Sequence, residues 1–535
     1  MSKKFFDAWQ DLLIVGVLLF AGWKFTHGLE SVQDILLYDE TYYLQSGLRL
    51  LTNGLPHAES APLFALWYFL LSFVRSDPIA LYYLNFKILT TLLPVLLYVV
   101  LRRYRCPLIP SALMAFVVLI SAANLATGPK VAQFALLLIL SSFFLASFAK
   151  TNTIRLAILA LGALLASYAR PELFFTFVLM FLLCLGVCLV RERRVSNFLG
   201  VLVLGALSLV LITTLGVPPG GSWRSAMAFG QHFSVNWVSW TNNTVLSPWN
   251  EWQKIMALNF GEAQSIPDAA RANPPAFVHH LVSNVLNTPA TMGREFFRHA
   301  NLLLPYAYQD IETKLLFLIL VTVVLGLYRQ NFRAIPRLIR SNKTRTLAIA
   351  SYLAVSGAVV ILIYPADAYL LVAGVMLILL FAPLVAHTPS NEKLIPKNLL
   401  GFALVLLLIT PPASNLLGTS NTPNANTIQT IRALKIHEPV RLFDTHGDFS
   451  LYLGDNFHFV DPFSRTTPFD TFSSTEKINM LLLDSTFQQD GKLLDDRTFQ
   501  IFLKDYPADG FTSIPIPGTD RHLLIKTSLL PTTTQ

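Results

Sequence analysis

The chain of 535 residues is 53% hydrophobic and only 13% charged, whereas a soluble domain has about 25% charged residues. This composition excludes a soluble globular protein and predicts a polytopic membrane protein built from α-helices. The formal net charge of +8 does not indicate nucleic-acid binding, because the basic residues fall in short clusters between apolar segments. Three cysteines are too few for a disulfide framework.

The apolar segments define the predicted membrane spans. A helix needs about 20 apolar residues to cross a bilayer, with roughly 17 as the usual lower limit. The first segment runs on without a small-residue cleavage site, so we interpret it as a retained anchor and not as a cleaved signal peptide. The eleven predicted spans are 9–26, 79–101, 108–124, 131–149, 154–168, 172–190, 197–216, 313–328, 346–364, 368–386 and 399–415.

The apolar stretch Pro62 to Val74 decides the topology, because counting it as a further span would invert everything after it. If it does not cross, the basic clusters, of which Arg102 to Arg105 is the first, all lie in the cytoplasm, as the positive-inside rule requires. We therefore predict a helix at 62–74 that lies in the outer interface. A second surface helix is predicted at 41–52. Its apolar face is expected to contain Tyr43, Leu44, Leu48 and Leu51.

This topology places the N-terminus in the cytoplasm and the C-terminus outside the membrane. The transmembrane domain covers 1–415 and carries two outer loops, 27–78 and 217–312. The second outer loop contains five tryptophans, which are typical either of an interfacial belt or of carbohydrate stacking. They are Trp223, Trp237, Trp240, Trp249 and Trp252.

A soluble domain is predicted at 416–535, where the apolar periodicity stops at a polar linker. Short β-like runs alternate there with helix-compatible stretches such as 495–504, which indicates an α/β or α+β unit. The strands are predicted at 440–443, 457–460, 478–483 and 522–525. Asp444, His446 and Asp448 resemble a metal-binding pattern, but without a second His/Cys pair we interpret them as turn-forming residues.

An adjacent acid pair, Asp39 and Glu40, follows the first predicted span and is flanked by aromatic residues. In the predicted topology it lies at the outer rim of the membrane, where it could meet the head group of a lipid-linked substrate. The alternative is an ordinary solvated acid pair at a helix start, where the helix dipole favours carboxylates.

The N-terminal half resembles the GT-C superfamily of membrane glycosyltransferases, which includes the protein O-mannosyltransferases and the lipid A aminoarabinose transferase. Four short motifs carry the resemblance through their order and sidedness over roughly the first 220 residues. They are Tyr38-Asp39-Glu40, the stretch Ala61 to Tyr68, Arg102-Arg103-Tyr104, and the turn that contains Arg170-Pro171-Glu172.

The resemblance implies transfer of a sugar from a polyprenyl-phosphate donor to an acceptor hydroxyl on the outer face of a bacterial inner membrane. It identifies Asp39 as the catalytic base and leaves Glu40 as an orienting partner or a metal ligand. Because the phosphate is already a good leaving group, the reaction needs a base and cations more than an added acid. The acceptor is a glycolipid, a polysaccharide or a protein, and the sequence leaves dependence on a divalent metal open.

The residues that bind the phosphate of the donor are expected among outward-facing cations. Lys130 and Arg170 stand alone in short outer turns, where the positive-inside bias disfavours basic residues. Pairing with lipid head groups, or of Arg170 with Glu172, is the alternative for both. Arg224 is a third candidate in the long outer loop. Two weaker candidates lie in the same loop, His232 and Arg294.

One late motif departs from the family. Many members carry an Arg-Tyr pair at the start of a late span, whereas this chain has Tyr364 to Leu370 with no arginine.

Two other classes of function stay open. A transporter of lipid-linked saccharides would show two repeated halves with interrupted helices, and 79–216 and 313–415 have no such symmetry. A non-catalytic scaffold with a similar fold would need no outer carboxylate.

Overall fold

The computed structural model describes residues 3–125, 128–219, 222–243, 245–249, 251–297, 343–386, 395–412, 414, 422–445, 449–462, 465–484, 493 and 495–530. The chain is mostly helical, with a small sheet in its C-terminal part. The helices before the sheet are α1 Lys3–Thr26, α2 Asp39–Leu48, α3 Leu50–Asn53, α4 Pro62–Ser72, α5 Pro78–Arg103, α6 Leu108–Ile120, α7 Ala122–Leu125, α8 Val131–Ala146, α9 Asn152–Ser167, α10 Leu173–Val190, α11 Val195–Leu215, α12 Ser222–Thr241, α13 Trp252–Phe260, α14 Ile266–Ala272, α15 Pro274–Phe297, α16 Lys343–Leu362, α17 Asp367–Ala386 and α18 Ile395–Ile409.

Helices long and apolar enough to cross a membrane occur five times among the described residues. They are Ala8–Ser31, Pro78–Arg103, Leu173–Val190, Val195–Leu215 and Lys343–Leu362. Length and composition thus agree with a helical membrane protein, but they do not establish eleven spans. The predicted span 108–124 is divided, because Ser121 is extended with ψ 148° and separates the short helices α6 and α7. The predicted span 313–328 lies outside the described residues.

The two predicted surface helices are short. Helix α4 has 11 residues, or about 16 Å at 1.5 Å per residue, well below the roughly 30 Å of a hydrocarbon core. Helix α2 begins at Asp39, and it buries Tyr43 and Leu44. The predicted single helix over 41–52 is divided: α2 ends at Leu48, and Leu51 lies in the separate helix α3, where it is 83% exposed.

The chain divides into two compact units. The first unit contains residues 1–27, 52–67 and 85–416, and the second contains 28–51, 68–84 and 417–535. The second unit therefore combines part of the predicted first outer loop with the predicted C-terminal domain. The second unit is thus assembled from three separate stretches of the sequence.

In the first unit, helices α12 to α15 of the long loop surround an aromatic core. Phe229, Phe233 and Phe260 are buried there, and Trp237 and Trp240 pack against them. The ring of Trp240 also stacks on His279, with centroids 3.9 Å apart. These two tryptophans thus contribute to a protein core, which the sequence analysis did not expect of them.

A buried polar network joins this core to the end of α16. His280, which is fully buried, accepts a hydrogen bond at Nδ1 from the amide of Asn236 at 3.0 Å. Its Nε2 then carries the proton and donates to Leu362 O at 3.2 Å. The amide of Asn284 donates to Ile361 O at 2.9 Å. Both side chains cap carbonyls that a helix end leaves without partners, and burial lowers the pKa of His280 to about 4.

The second unit contains a five-stranded sheet in the order β2-β1-β3-β5-β4. Strands β2, β1 and β3 are parallel, and β5 and β4 are antiparallel additions. The strands are β1 Val440–Phe443, β2 Phe457–Val460, β3 Met480–Leu483, β4 Phe511–Pro515 and β5 His522–Lys526. The helices of this domain are α19 Pro423–Ala433, α20 Ser450–Leu453, α21 Phe469–Thr475 and α22 Arg497–Asp505. The α/β prediction is confirmed for this sheet, although β4 was not predicted.

Candidate functional site

The acid pair of the first outer loop begins helix α2. Asp39 and Glu40 occupy its first turn, where the exposed N–H groups and the helix dipole favour carboxylates. The preceding residue, Tyr38, has φ 60° and ψ −112°. A positive φ is uncommon for a residue with a bulky side chain and is usually enforced by its surroundings.

The two carboxylates have opposite surroundings. Successive residues of a helix point about 100° apart, so one side chain can face the solvent while the next faces the interior. Asp39 is exposed, and among the residues that the structure describes its carboxylate makes no hydrogen bond or ion pair. Glu40 is only 1% exposed. Asp39 is therefore accessible to solvent, whereas Glu40 is part of the core.

Two buried tyrosines lie near Glu40. The hydroxyl of Tyr68 donates a hydrogen bond to Glu40 Oε1, and the charge of Glu40 also acts on Tyr82. Both tyrosines are fully buried. Burial, followed by the charge of Glu40, holds the pKa of Tyr68 well above its usual value. Tyr68 therefore keeps its proton and remains a hydrogen-bond donor to the carboxylate. A buried carboxylate needs such donors, because burial without them is costly.

The residues on either side of the acid pair contact the C-terminal domain. The hydroxyl of Tyr38 donates to Thr445 O at 2.9 Å. The hydroxyls of Thr41 and Tyr452 are hydrogen-bonded at 3.0 Å in a buried contact. Tyr38 and Tyr68 lie within the motifs that resemble the GT-C superfamily, but no role followed for them from the sequence, and nothing in the sequence pointed to Tyr452.

Lys130 is fully buried in the first unit. Its Nζ donates to Asn124 O at 2.6 Å and to Leu125 O at 3.0 Å, at the end of α7. The ammonium group also lies 4.5 Å from the centre of the Phe86 ring. These contacts give Lys130 a structural task in holding a helix end, and its role in phosphate binding stays a prediction.

Arg170 lies in the turn before α10 and keeps 16% of its side chain exposed. Its Nε donates to Glu172 Oε1 at 2.8 Å, so the predicted alternative partner is present. The guanidinium also lies 4.5 Å from the centre of the Tyr369 ring. Tyr369 belongs to the segment Tyr364 to Leu370, which contains no arginine of its own.

The candidates of the long loop each contact another residue of the protein. Arg224 donates to Glu59 O, and Arg294 pairs with Glu295 at 3.1 Å. His232 stacks on Tyr364 with ring centroids 5.0 Å apart, and burial lowers its pKa to about 4. The acid pair belongs to the second unit and the cations to the first, so a single site containing both stays a prediction.

Metal binding finds no support in the described part of the chain, where no group of three His, Cys, Asp or Glu side chains is arranged to hold an ion. Asp444 is fully buried after strand β1, while His446 and Asp448 lie outside the described residues. No family model matches this sequence, and no curated protein is significantly similar to it.

Proposed function

We propose that this protein is a membrane glycosyltransferase that moves a sugar from a polyprenyl-phosphate donor to an acceptor hydroxyl on the outer face. The observation that carries the proposal is the unequal pair at the start of α2. Asp39 is exposed, while Glu40, one residue further, is buried and bonded to Tyr68. A base needs this accessibility together with a fixed backbone. The motifs shared with the GT-C superfamily, and the apolar helices, support the same proposal.

In the proposed reaction, the Asp39 carboxylate takes the proton of the acceptor hydroxyl as its oxygen bonds to the anomeric carbon of the sugar. The bond between that carbon and the phosphate oxygen breaks, and its electron pair leaves with the polyprenyl phosphate. A guanidinium such as that of Arg170 would stabilise the departing phosphate charge. Glu40 acts as an orienting residue, because its carboxylate already accepts a hydrogen bond from Tyr68.

The experiment compares Asp39→Asn and Glu40→Gln in the purified, detergent-solubilised protein. We expect Asp39→Asn to lower sugar transfer from a polyprenyl-phosphate donor at least about 100-fold, which is the usual contribution of a positioned base. Glu40→Gln should be milder, because glutamine can still accept from Tyr68. Asp470→Asn is the matched control, since Asp470 is also an exposed first-turn aspartate in the same unit.

The outcomes separate the alternatives. Full transfer by Asp39→Asn together with loss in Glu40→Gln would assign the base to Glu40. Full transfer by both variants would reject catalysis by this loop and favour a scaffold. Movement of intact lipid-linked saccharide across vesicle membranes, without transfer, would favour a transporter.

A further inference from the structure

The loop that carries Asp39 is fastened to the C-terminal domain before the acid pair begins. The Asp34 carboxylate accepts hydrogen bonds from the backbone N–H groups of Asn424 and Ala425, each at 2.9 Å. These groups belong to the first turn of α19, whose own N-cap residue, Thr422, provides no side-chain cap. Asp34 therefore caps a helix from another part of the chain. The amide of Asn424 in turn donates to Ile35 O at 2.8 Å.

Two more contacts lie directly beside Asp39. Tyr38 reaches Thr445 O, just after strand β1, and Thr41 reaches Tyr452 in the short helix α20. Tyr452 is itself fixed, because Arg432 of α19 donates to Tyr452 O at 2.6 Å. The backbone of Asp39 is thus bracketed by one contact on its N-terminal side and one on its C-terminal side.

The backbone conformation of Tyr38 requires contacts that hold it in place. Its φ of 60° and ψ of −112° are sparsely populated for a residue with a Cβ, and such conformations persist only where the surroundings determine them strongly. The side chain of Tyr38 cannot relax freely while its hydroxyl is bonded to Thr445. The conformation of the residue before Asp39 therefore depends on the C-terminal domain.

We propose that the C-terminal α/β domain is a positioning domain, in which Tyr38, Thr41 and Tyr452 act as positioning residues for the Asp39 carboxylate. The catalytic part of this inference rests on the proposed function, whereas the fixing of α2 by the domain does not. Misplacement of a catalytic group by about 1 Å lowers a rate on the order of 100-fold. The domain would therefore determine turnover without touching the substrate.

The test deletes single hydroxyl groups in the full-length protein. The variants are Tyr38→Phe, Thr41→Val, Tyr452→Phe and the pair Thr41→Val/Tyr452→Phe. Tyr83→Phe is the matched control, because the Tyr83 hydroxyl also donates to this loop, at Gln33 O and 2.8 Å, but outside the segment from Tyr38 to Thr41. Each variant is measured by amide hydrogen exchange of α2 and by the kcat and KM of sugar transfer.

We expect Tyr38→Phe and Tyr452→Phe to accelerate exchange in the first turn of α2 and to lower kcat about 10- to 100-fold, with KM changed less than about threefold. Exchange in strands β1 and β3 should stay unchanged. Because Thr41 and Tyr452 share one hydrogen bond, the double variant should lose no more than the more affected single variant. Tyr83→Phe should leave both kcat and the exchange of α2 unaltered.

Unchanged exchange in α2 would overturn the inference, and so would faster exchange with an unaltered kcat. If the wild-type protein transfers no sugar, the proposed function fails and hydrogen exchange alone decides. Faster exchange of α2 in the variants would then support fixing by the domain, and unchanged exchange would reject it.

Discussion

Two adjacent carboxylates with the same chemistry acquire different tasks from their surroundings. Asp39 and Glu40 differ by one position in the same helical turn, yet only Glu40 is enclosed by tyrosines. Adjacency in the sequence predicted that the two would not both face one site. It did not predict which of them is buried, because Tyr68 reaches Glu40 only through tertiary folding.

Removal of the Tyr68 hydroxyl tests the buried contact. We expect Tyr68→Phe to lower the free energy of unfolding by about 1 to 3 kcal/mol, because the Glu40 carboxylate loses a donor while remaining buried. Thermal unfolding in detergent measures the change. A double variant with Glu40→Gln should lose less than the sum of the single variants, and strict additivity would contradict the contact.

Arg170 is the cation on which the proposed chemistry depends most. We expect Arg170→Gln to lower turnover by roughly one to three orders of magnitude, the scale for loss of one electrostatic donor. Arg170→Lys should fall between that variant and the wild type, because lysine keeps the charge but loses the planar fork and the stacking on Tyr369. Steady-state sugar transfer is the measurement.

Arg271→Gln is the control for Arg170, since Arg271 also pairs with a nearby carboxylate, that of Asp268 at 3.3 Å. It should leave transfer unchanged. Wild-type turnover in Arg170→Gln would remove Arg170 from the site and leave Lys130 and the long loop as sources of positive charge.

At the scale of elements, the His280 network makes stability depend on pH. The pKa of His280 is lowered from its ordinary value of 6.5 to about 4, so the unfolded chain binds its proton more readily. The stabilisation is complete above pH 6.5 and is lost as the pH falls from 6.5 towards 4. Between pH 7 and pH 5 the loss is about 2 kcal/mol, since one pKa unit corresponds to about 1.4 kcal/mol.

His280→Gln isolates this effect, because glutamine does not titrate. Unfolding measured at pH 7 and pH 5 should show a smaller pH dependence in the variant than in the wild type. His232 also has a lowered pKa, mainly through burial and further through the charge of His280, so it still titrates in the variant and part of the pH dependence should remain. Equal pH dependence of the two would contradict the neutral, capping role of His280.

Sequence periodicity predicted the sheet better than it predicted the membrane helices. Strands β1 and β2 have their predicted bounds, because each is a compact apolar run beside turn residues. Strand β4 was missed, since its sequence contains Thr, Ser and Pro and it lies at the sheet edge, where one neighbour suffices. The break at Ser121 within an apolar run gives no signal in hydropathy, because hydropathy does not report backbone direction.

For the whole molecule, topology is the property that reporter fusions test directly. The basic clusters predict a cytoplasmic reporter after Arg105 and after Arg340, and an external one after Asn424. Helix α4 has too few residues to cross, which favours the same arrangement. Arg340 lies outside the described residues. External labelling after Arg105 would overturn the placement of 62–74 at the outer surface.

The sequence did not indicate which segments of the chain form the second unit. The linker near residue 416 indicated where a soluble domain begins, but it gave no sign that 28–51 and 68–84 join that domain. Side-chain contacts between distant segments, such as Tyr38 with Thr445, leave no periodic pattern. The acid pair itself was identifiable from its position after the first apolar segment.

The same contacts also govern when the loop is completed during synthesis. Asp34 and Asn424 are 390 residues apart in the chain. A ribosome adds about 5 to 20 residues per second, so roughly 20 to 80 s pass between the synthesis of the first loop and the synthesis of the residues that it contacts. Until then Tyr38 has no Thr445 carbonyl to hold it. A chain released early from the ribosome would carry the acid pair without the means to orient it.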